Sequence, residues 1–218
     1  TLNPMFACED TEMLTEILLT RAPALSKDGR PGEALAMLAD PSLDLAARFR
    51  GQLRNQRGII LAEVNRLPEA LEQTEEALAL LRAAGERSQE ARTLVNLGAI
   101  TSMMGRLDDA ERWYEEARDC TVATGQHVVA AGIEGNLGYV ASRRGRYTEA
   151  LDWYDQARAS FARLGGVDLL VAVLEIDHAR TLLDVGLASD AARAAERAVR
   201  SAASGGNAPQ RLGAARPG

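Results

Sequence analysis

In the stretch QEARTLVNLGAITSMMG, apolar residues fall at Leu94, Leu97, Ile100 and Met104, one side of a helix with 3.6 residues per turn. Gly105 follows, and glycine tolerates the left-handed conformation that a helix stop requires. The next stretch, RLDDAERWYEEARDCTVATG, opens with an acidic turn, favourable at a helix N-terminus. It places Leu107, Ala110, Tyr114 and Ala117 on one face and stops at Gly125. The pattern predicts two helices joined by a tight turn. No stretch shows sustained apolar–polar alternation with β-branched enrichment, so no sheet is expected.

The same two-helix pattern recurs. Gly58, Gly98 and Gly138 are forty residues apart, as are Ala70, Ala110 and Ala150, then Ala77, Ala117 and Ala157. Loop glycines Gly85, Gly125 and Gly165 keep the same period, and the tight turn carries Asn65, Gly105 and Gly145. A further unit follows after a slip of one residue, with Ala179, Gly186, Ala191, Ala198 and Gly206. A degenerate earlier unit shows in DGRPGEALAML, where Gly29 and Ala34 keep the five-residue spacing. The expected organisation is an N-terminal segment over 1–12, a degenerate helix pair over 13–48, and repeats over 49–206. The repeats divide near 49–87, 88–126, 127–166 and 167–206, and 207–218 reads as a truncated further repeat or a tail.

These columns resemble the tetratricopeptide repeat, whose pattern couples a Leu-Gly pair in the first helix to Ala-x-x-x-aromatic in the second. Leu97–Gly98 with Ala110 and Tyr114, and Leu137–Gly138 with Ala150 and Tyr154, carry the likeness. VNLG, GNLG and GRYTEAL are strong local matches. The family's early tryptophan is replaced by Leu94 and Glu134, its terminal proline is absent, and the period is forty rather than the usual 34 or so. The resemblance covers roughly 13–206 and implies an all-α, right-handed α-solenoid of about five antiparallel helix pairs. In texture the repeats look like those of actinobacterial multidomain proteins, some of which precede a caspase-like CHAT domain.

Composition narrows the function. The chain has 218 residues and a formal charge of −6, which argues against direct binding of nucleic acid through its phosphates. No apolar run is long enough for a membrane span, and the start lacks the layout of a signal peptide. The two cysteines, Cys8 and Cys120, are far apart in sequence and suit a reducing cytoplasm. Basic residues are almost all arginine, a bias common in GC-rich bacterial genomes.

Catalytic chemistry finds little footing. The histidines, His127 and His178, belong to no metal-ligand spacing, and a Cys120–His127 dyad competes with a packing role for Cys120. GIEGNLG lies inside a helix with no strand before it, so it is no phosphate loop. No enzyme activity, metal or cofactor is expected. The tandem aromatics Trp113–Tyr114 and Trp153–Tyr154 read as core and near-core positions fixed by the period.

The resemblance implies that first helices line a concave groove. The position two residues before each repeat glycine reads Gln56, Asn96, Asn136 and, across the slip, Asp177. A carboxamide donates and accepts together, so such a column suits the backbone of an extended peptide, or else bonds to neighbouring helices. Related offsets add Arg92, Tyr139, Arg143 and Arg180 as groove candidates. SRRGR, with Arg143, Arg144 and Arg146, either holds a partner's carboxylate or simply complements a helix C-terminus. The expected function is protein–protein interaction, with a peptide or partner domain in the groove. The alternative is a regulatory segment of a larger protein, a CHAT-type protease or a bacterial transcriptional regulator. Self-association through an uncapped last repeat is a third possibility.

Overall fold

The computed structural model describes residues 4–39 and 45–206. The expectation for 207–218 lies outside the described residues, as do the first three residues of the N-terminal segment. Among the described residues there are ten helices and no strand. They are α1 (Pro4–Lys27), α2 (Pro31–Leu38), α3 (Ala47–Glu63), α4 (Leu67–Ala83) and α5 (Arg87–Met103), then α6 (Leu107–Thr124), α7 (His127–Arg143), α8 (Tyr147–Leu164), α9 (Asp168–Asp184) and α10 (Ala188–Gly206). The all-α helical-repeat fold expected from the periodicity is therefore present. Helix α1 starts well before residue 13 and runs into the degenerate first pair.

The helices fall into two compact units, residues 1–120 and 121–218. In the first, α3 packs along α4, α4 along α5, and α1 and α2 along each other and along α3. In the second, α7 packs along α8, α9 along α10, and α9 also meets α7 and α8. Each pair turns where the sequence places its tight-turn residue. Asn65 is the one non-glycine with positive φ among the described residues, at 60°, and it occupies the column held by Gly105 and Gly145, both at 75°. Asparagine reaches this region more readily than most residues with a Cβ.

The repeat alanines and glycines set how closely paired helices approach. Ala70, Ala110 and Ala150 are all fully buried. A Cβ on Gly98 would come within 2.5 Å of the Tyr114 ring, and one on Gly138 within 2.8 Å of the Tyr154 ring. The glycine thus makes room for the aromatic ring of the second helix. In α4 that ring is replaced by Thr74, which is buried and donates its hydroxyl proton to the Ala70 carbonyl at 2.7 Å. Tyr154 is fully buried in a cluster with Ala150, Ala157, Phe161 and Leu174, and the half-buried Trp153 packs against it. The tandem aromatics are architecture.

Helices α2, α4, α6 and α8 each begin with an ion pair that the repeat reproduces. The residue after the positive-φ position is Arg30, Arg66, Arg106 or Arg146, and each pairs with the acid three residues on: Glu33, Glu69, Asp109 or Glu149. These side chains are partly exposed, and such pairs add little to stability. The column ends at Leu187, an exposed leucine where the preceding units carry arginine.

Candidate functional site

In the first unit, the first helices α3 and α5 lie close enough to form a cleft between them. Ile59 and Ala62 of α3 and Ala99, Ile100 and Met103 of α5 line it, with Glu63 and Asn96 at its polar margin. Its volume is about 190 Å3. These residues sit one turn apart along facing helices, where side chains at i, i+3 and i+4 share a side. Met103 is more than half exposed, so the cleft opens to solvent at that edge. A cleft of this size, apolar within and polar at the margin, suits one or two apolar side chains of a bound segment.

The carboxamide column divides according to what each residue already holds. Asn96 is half-buried, and its Nδ2 donates to Asn55 Oδ1 of α3 at 3.0 Å. This is the neighbouring-helix alternative, and it leaves the Asn96 oxygen and the Asn55 amide as the groups available to a ligand. Gln56 and Asn136 are half-buried, and neither carboxamide pairs with another side chain among the described residues. Arg92 is exposed on α5.

Within the second unit the structure brings the remaining candidates together in two pairs. Arg143 Nη1 donates to Tyr139 Oη at 2.8 Å, and its guanidinium lies 5.7 Å from the centre of that ring. Arg180 Nη1 is 3.6 Å from Asp177 Oδ1. Burial pushes the Asp177 carboxyl up, an effect that Arg180 only partly offsets. Arg146 is held by Glu149, so SRRGR does not present three uncommitted cations. Arginine stacked on tyrosine still leaves donors of its fork for a carboxylate.

A second cluster escaped the sequence reading. Glu175 of α9 is fully buried, yet it is surrounded by cations. Arg158 Nε of α8 donates to its Oε1 at 2.7 Å; Arg197 of α10 grips both oxygens, at 3.0 and 2.8 Å. His178 Nδ1 is 2.5 Å from Arg158 Nη2, and since a guanidinium only donates, that ring nitrogen is the acceptor. Burial acts to raise the Glu175 carboxyl, but the hydrogen bonds and charges of Arg197 and Arg158 outweigh it and hold the group well below the usual carboxylate range. Periodicity offered little signal for this cluster. Glu175 occupies the column of Arg54, Leu94 and Glu134, which is charged in most units, and His178 that of Arg57, Leu97 and Leu137.

Catalytic chemistry gains no support from these groups. The half-buried Cys120 thiol is pushed up by burial, with the nearby Glu90 carboxylate adding to it, so little of it is thiolate. No group of three potential ligands able to hold a metal occurs among the described residues. No described helix is long and apolar enough to cross a membrane.

A family model described as Tetratricopeptide repeat matches residues 49–121 and 129–204. Among solved structures, the chain is similar to BtubC (BKLC) from P. vanneervenii, with a TM-score of 0.77 and 17% identity over 99% of this chain and 88% of that one. A Podosopora anserina putative kinesin light chain with nearly identical TPR-like repeats gives 0.68 and 16%, over 88% and 97% of the two chains. The Rap conjugation gene regulator of plasmid pLS20, solved in complex with the Phr* peptide, gives 0.69 and 17%, over 91% of this chain and 56% of that one. At these identities the likeness is one of fold. No curated protein matches the chain.

Proposed function

Because the chain belongs to the tetratricopeptide repeat family, we propose that it is a protein–protein interaction scaffold holding a peptide or partner domain against the face of its first helices. The observation that carries this reading is the cleft between α3 and α5. It offers apolar depth from Ile59, Ala99 and Met103, and a polar margin at Glu63 and Asn96, the latter bonded to Asn55. Gln56 of α3 and Arg92 of α5 add polar groups on the same two helices, and in the second unit Asn136 and the Tyr139–Arg143 and Asp177–Arg180 pairs are separate polar candidates on α7 and α9. Rigid helices displaying side chains at fixed spacing lower the ordering cost of binding, so several modest contacts together give useful affinity. The solved Rap regulator carries a bound peptide, which supports a peptide-sized ligand for this fold. The two cysteines, far apart in sequence, suit a cytoplasmic setting.

Affinity capture from the source cytosol tests the reading when wild type is compared with Met103→Glu, which places charge at the mouth of the cleft. Recovery of a partner reduced at least tenfold, with an unchanged thermal midpoint, supports it. Equal recovery by both proteins contradicts it.

A second reading is a regulatory segment of a larger protein. It is favoured by one observation: a conjugation gene regulator, Rap of plasmid pLS20, shares this fold. A transcriptional regulator fits this better than a CHAT-type protease, for which only sequence texture speaks. The reading frame flanking this sequence in the gene decides between a segment and an independent scaffold.

A further inference from the structure

Helix α9 carries bulky aliphatic side chains on its outer side. Leu169 is 60% exposed, Val173 60%, Ile176 51% and Leu183 60%. Their spacing is four, three and seven residues, and Arg180, also exposed, fills the place between Ile176 and Leu183. Residues spaced alternately four and three apart form one narrow stripe along a helix, the spacing with which helices interlock. The opposite side of α9, at Leu174, His178 and Leu182, is buried. Leu169 packs closely on Gly205 of α10 at one end, but Val173, Ile176 and Leu183 are not the part of α9 that holds the repeat together.

Nor does the fold require these three. The residues matching Val173, Ile176 and Leu183 are Arg92, Val95 and Ser102 in α5, and Gly132, Gly135 and Ser142 in α7. A feature needed for packing would recur with the repeat, whereas this one occurs in α9 alone. Four exposed aliphatics along one stripe, interrupted only by Arg180, are costly to leave in water and mark an interaction surface.

The edges of the stripe indicate what covers it. On one edge Ala172 and Ala179 are buried against the rest of the unit. The other edge carries Asp177 and Asp184, seven residues apart, and Asp184 is exposed. If a second copy paired antiparallel about a two-fold axis, the acidic edge of one would meet the acidic edge of the other, which is repulsive. A cationic edge on the incoming helix complements it instead. We propose that α9 docks an amphipathic helix of a partner protein, one with an apolar stripe of matching spacing and lysine or arginine along the edge that faces Asp177 and Asp184. This shares with the proposed function the premise that first helices form the docking face, but it concerns α9 rather than the cleft between α3 and α5.

The test uses the full chain and two 21-residue designed helical peptides with leucine along one stripe. Their flanking positions carry lysine in one and glutamate in the other, and binding is read by fluorescence anisotropy. The lysine-flanked peptide should bind at least tenfold more tightly than the glutamate-flanked one. Ile176→Ser with Leu183→Ser should weaken it at least tenfold, and Asp177→Asn with Asp184→Asn should abolish most of its preference. Met103→Glu should leave this binding unchanged while impairing the cleft, so the two sites fail separately. Circular dichroism confirms the fold of each variant. Equal binding of both peptides, or no loss in the serine variant, overturns the proposal. So does light scattering that shows a dimer dissociated by the serine substitutions, because a second copy would then be the occupant.

Discussion

Helices α5 and α9 hold the same place in their repeats and distribute their residues in opposite ways. In α5 the inner columns hold Leu94 and Leu97, both fully buried, while the outer side carries the exposed Ser88 and Arg92. In α9 the same inner columns hold Glu175 and His178, and the outer side carries Leu169, Val173, Ile176 and Leu183. A helix can therefore keep its place in a repeat with charge inside, provided the neighbouring helices supply arginines. What it presents outward is then a separate choice, and here that choice is apolar. The first unit offers a cleft between helices; the second offers a ridge on one.

The largest expected effects concern the inner columns. Glu175→Ala removes the shared acceptor of Arg158 and Arg197, which are about a third exposed and can be partly rehydrated, and should cost about 2–3 kcal/mol in urea unfolding, below the range for stranding a fully buried charge. Replacing Glu175, Arg158 and Arg197 together by leucine or methionine should recover most of that loss, because a packed apolar core is a valid alternative. Leu94→Ala should cost about 2–5 kcal/mol through the cavity it leaves, and it has no such compensating set. If the triple variant is no more stable than Glu175→Ala, the network is not interchangeable with the apolar core of α5.

Acid should act on the same network. The folded state holds the Glu175 carboxyl below its ordinary range, so its contribution is complete above the unfolded-state value of about 4.3. The contribution is lost as pH falls from there toward the lower folded-state value. Urea titrations of wild type and Glu175→Gln should therefore differ most above about pH 4.3 and converge only as pH falls well below that, toward the folded-state value.

Smaller effects sharpen the comparison. Gly98→Ala forces a methyl group against the Tyr114 ring and should cost about 1–3 kcal/mol. Asn96→Ala removes one half-exposed hydrogen bond to Asn55 and should cost about 1 kcal/mol at most. At the bottom of the scale, Arg66→Ala removes an exposed ion pair with Glu69 and should leave the thermal midpoint in place.

Much of the fold was legible because the repeat imposes strict packing. Gly98 against Tyr114 and Gly138 against Tyr154 leave few alternatives at either position, so a glycine and a ring recurring together disclosed two helices and their contact. Turn residues were equally plain, since Asn65, Gly105 and Gly145 all adopt positive φ. The surface followed no such rule. Asn96 fell in the expected column, but the bond to Asn55 spans 41 residues rather than one period, because facing helices pair residues from neighbouring columns. Period-forty comparison therefore missed Asn55. It also passed over Glu175 and His178, since a charge in columns that mix charged and apolar residues shows its meaning only once Arg158 and Arg197 arrive from two other helices. Exposed aliphatics such as Ile176 and Leu183 escaped for the opposite reason: helical spacing alone cannot say which apolar stripe faces the core.

The claim that this chain recognises partners through its first helices is tested most directly by photo-crosslinking in the source cell. A photoreactive residue is placed at Met103 of α5, at Ile176 of α9, and, on second helices, at the exposed Glu115 and Asp152. The account predicts discrete crosslinked proteins from Met103 or Ile176 and none above background from Glu115 or Asp152. Crosslinks from the second-helix positions alone would contradict it.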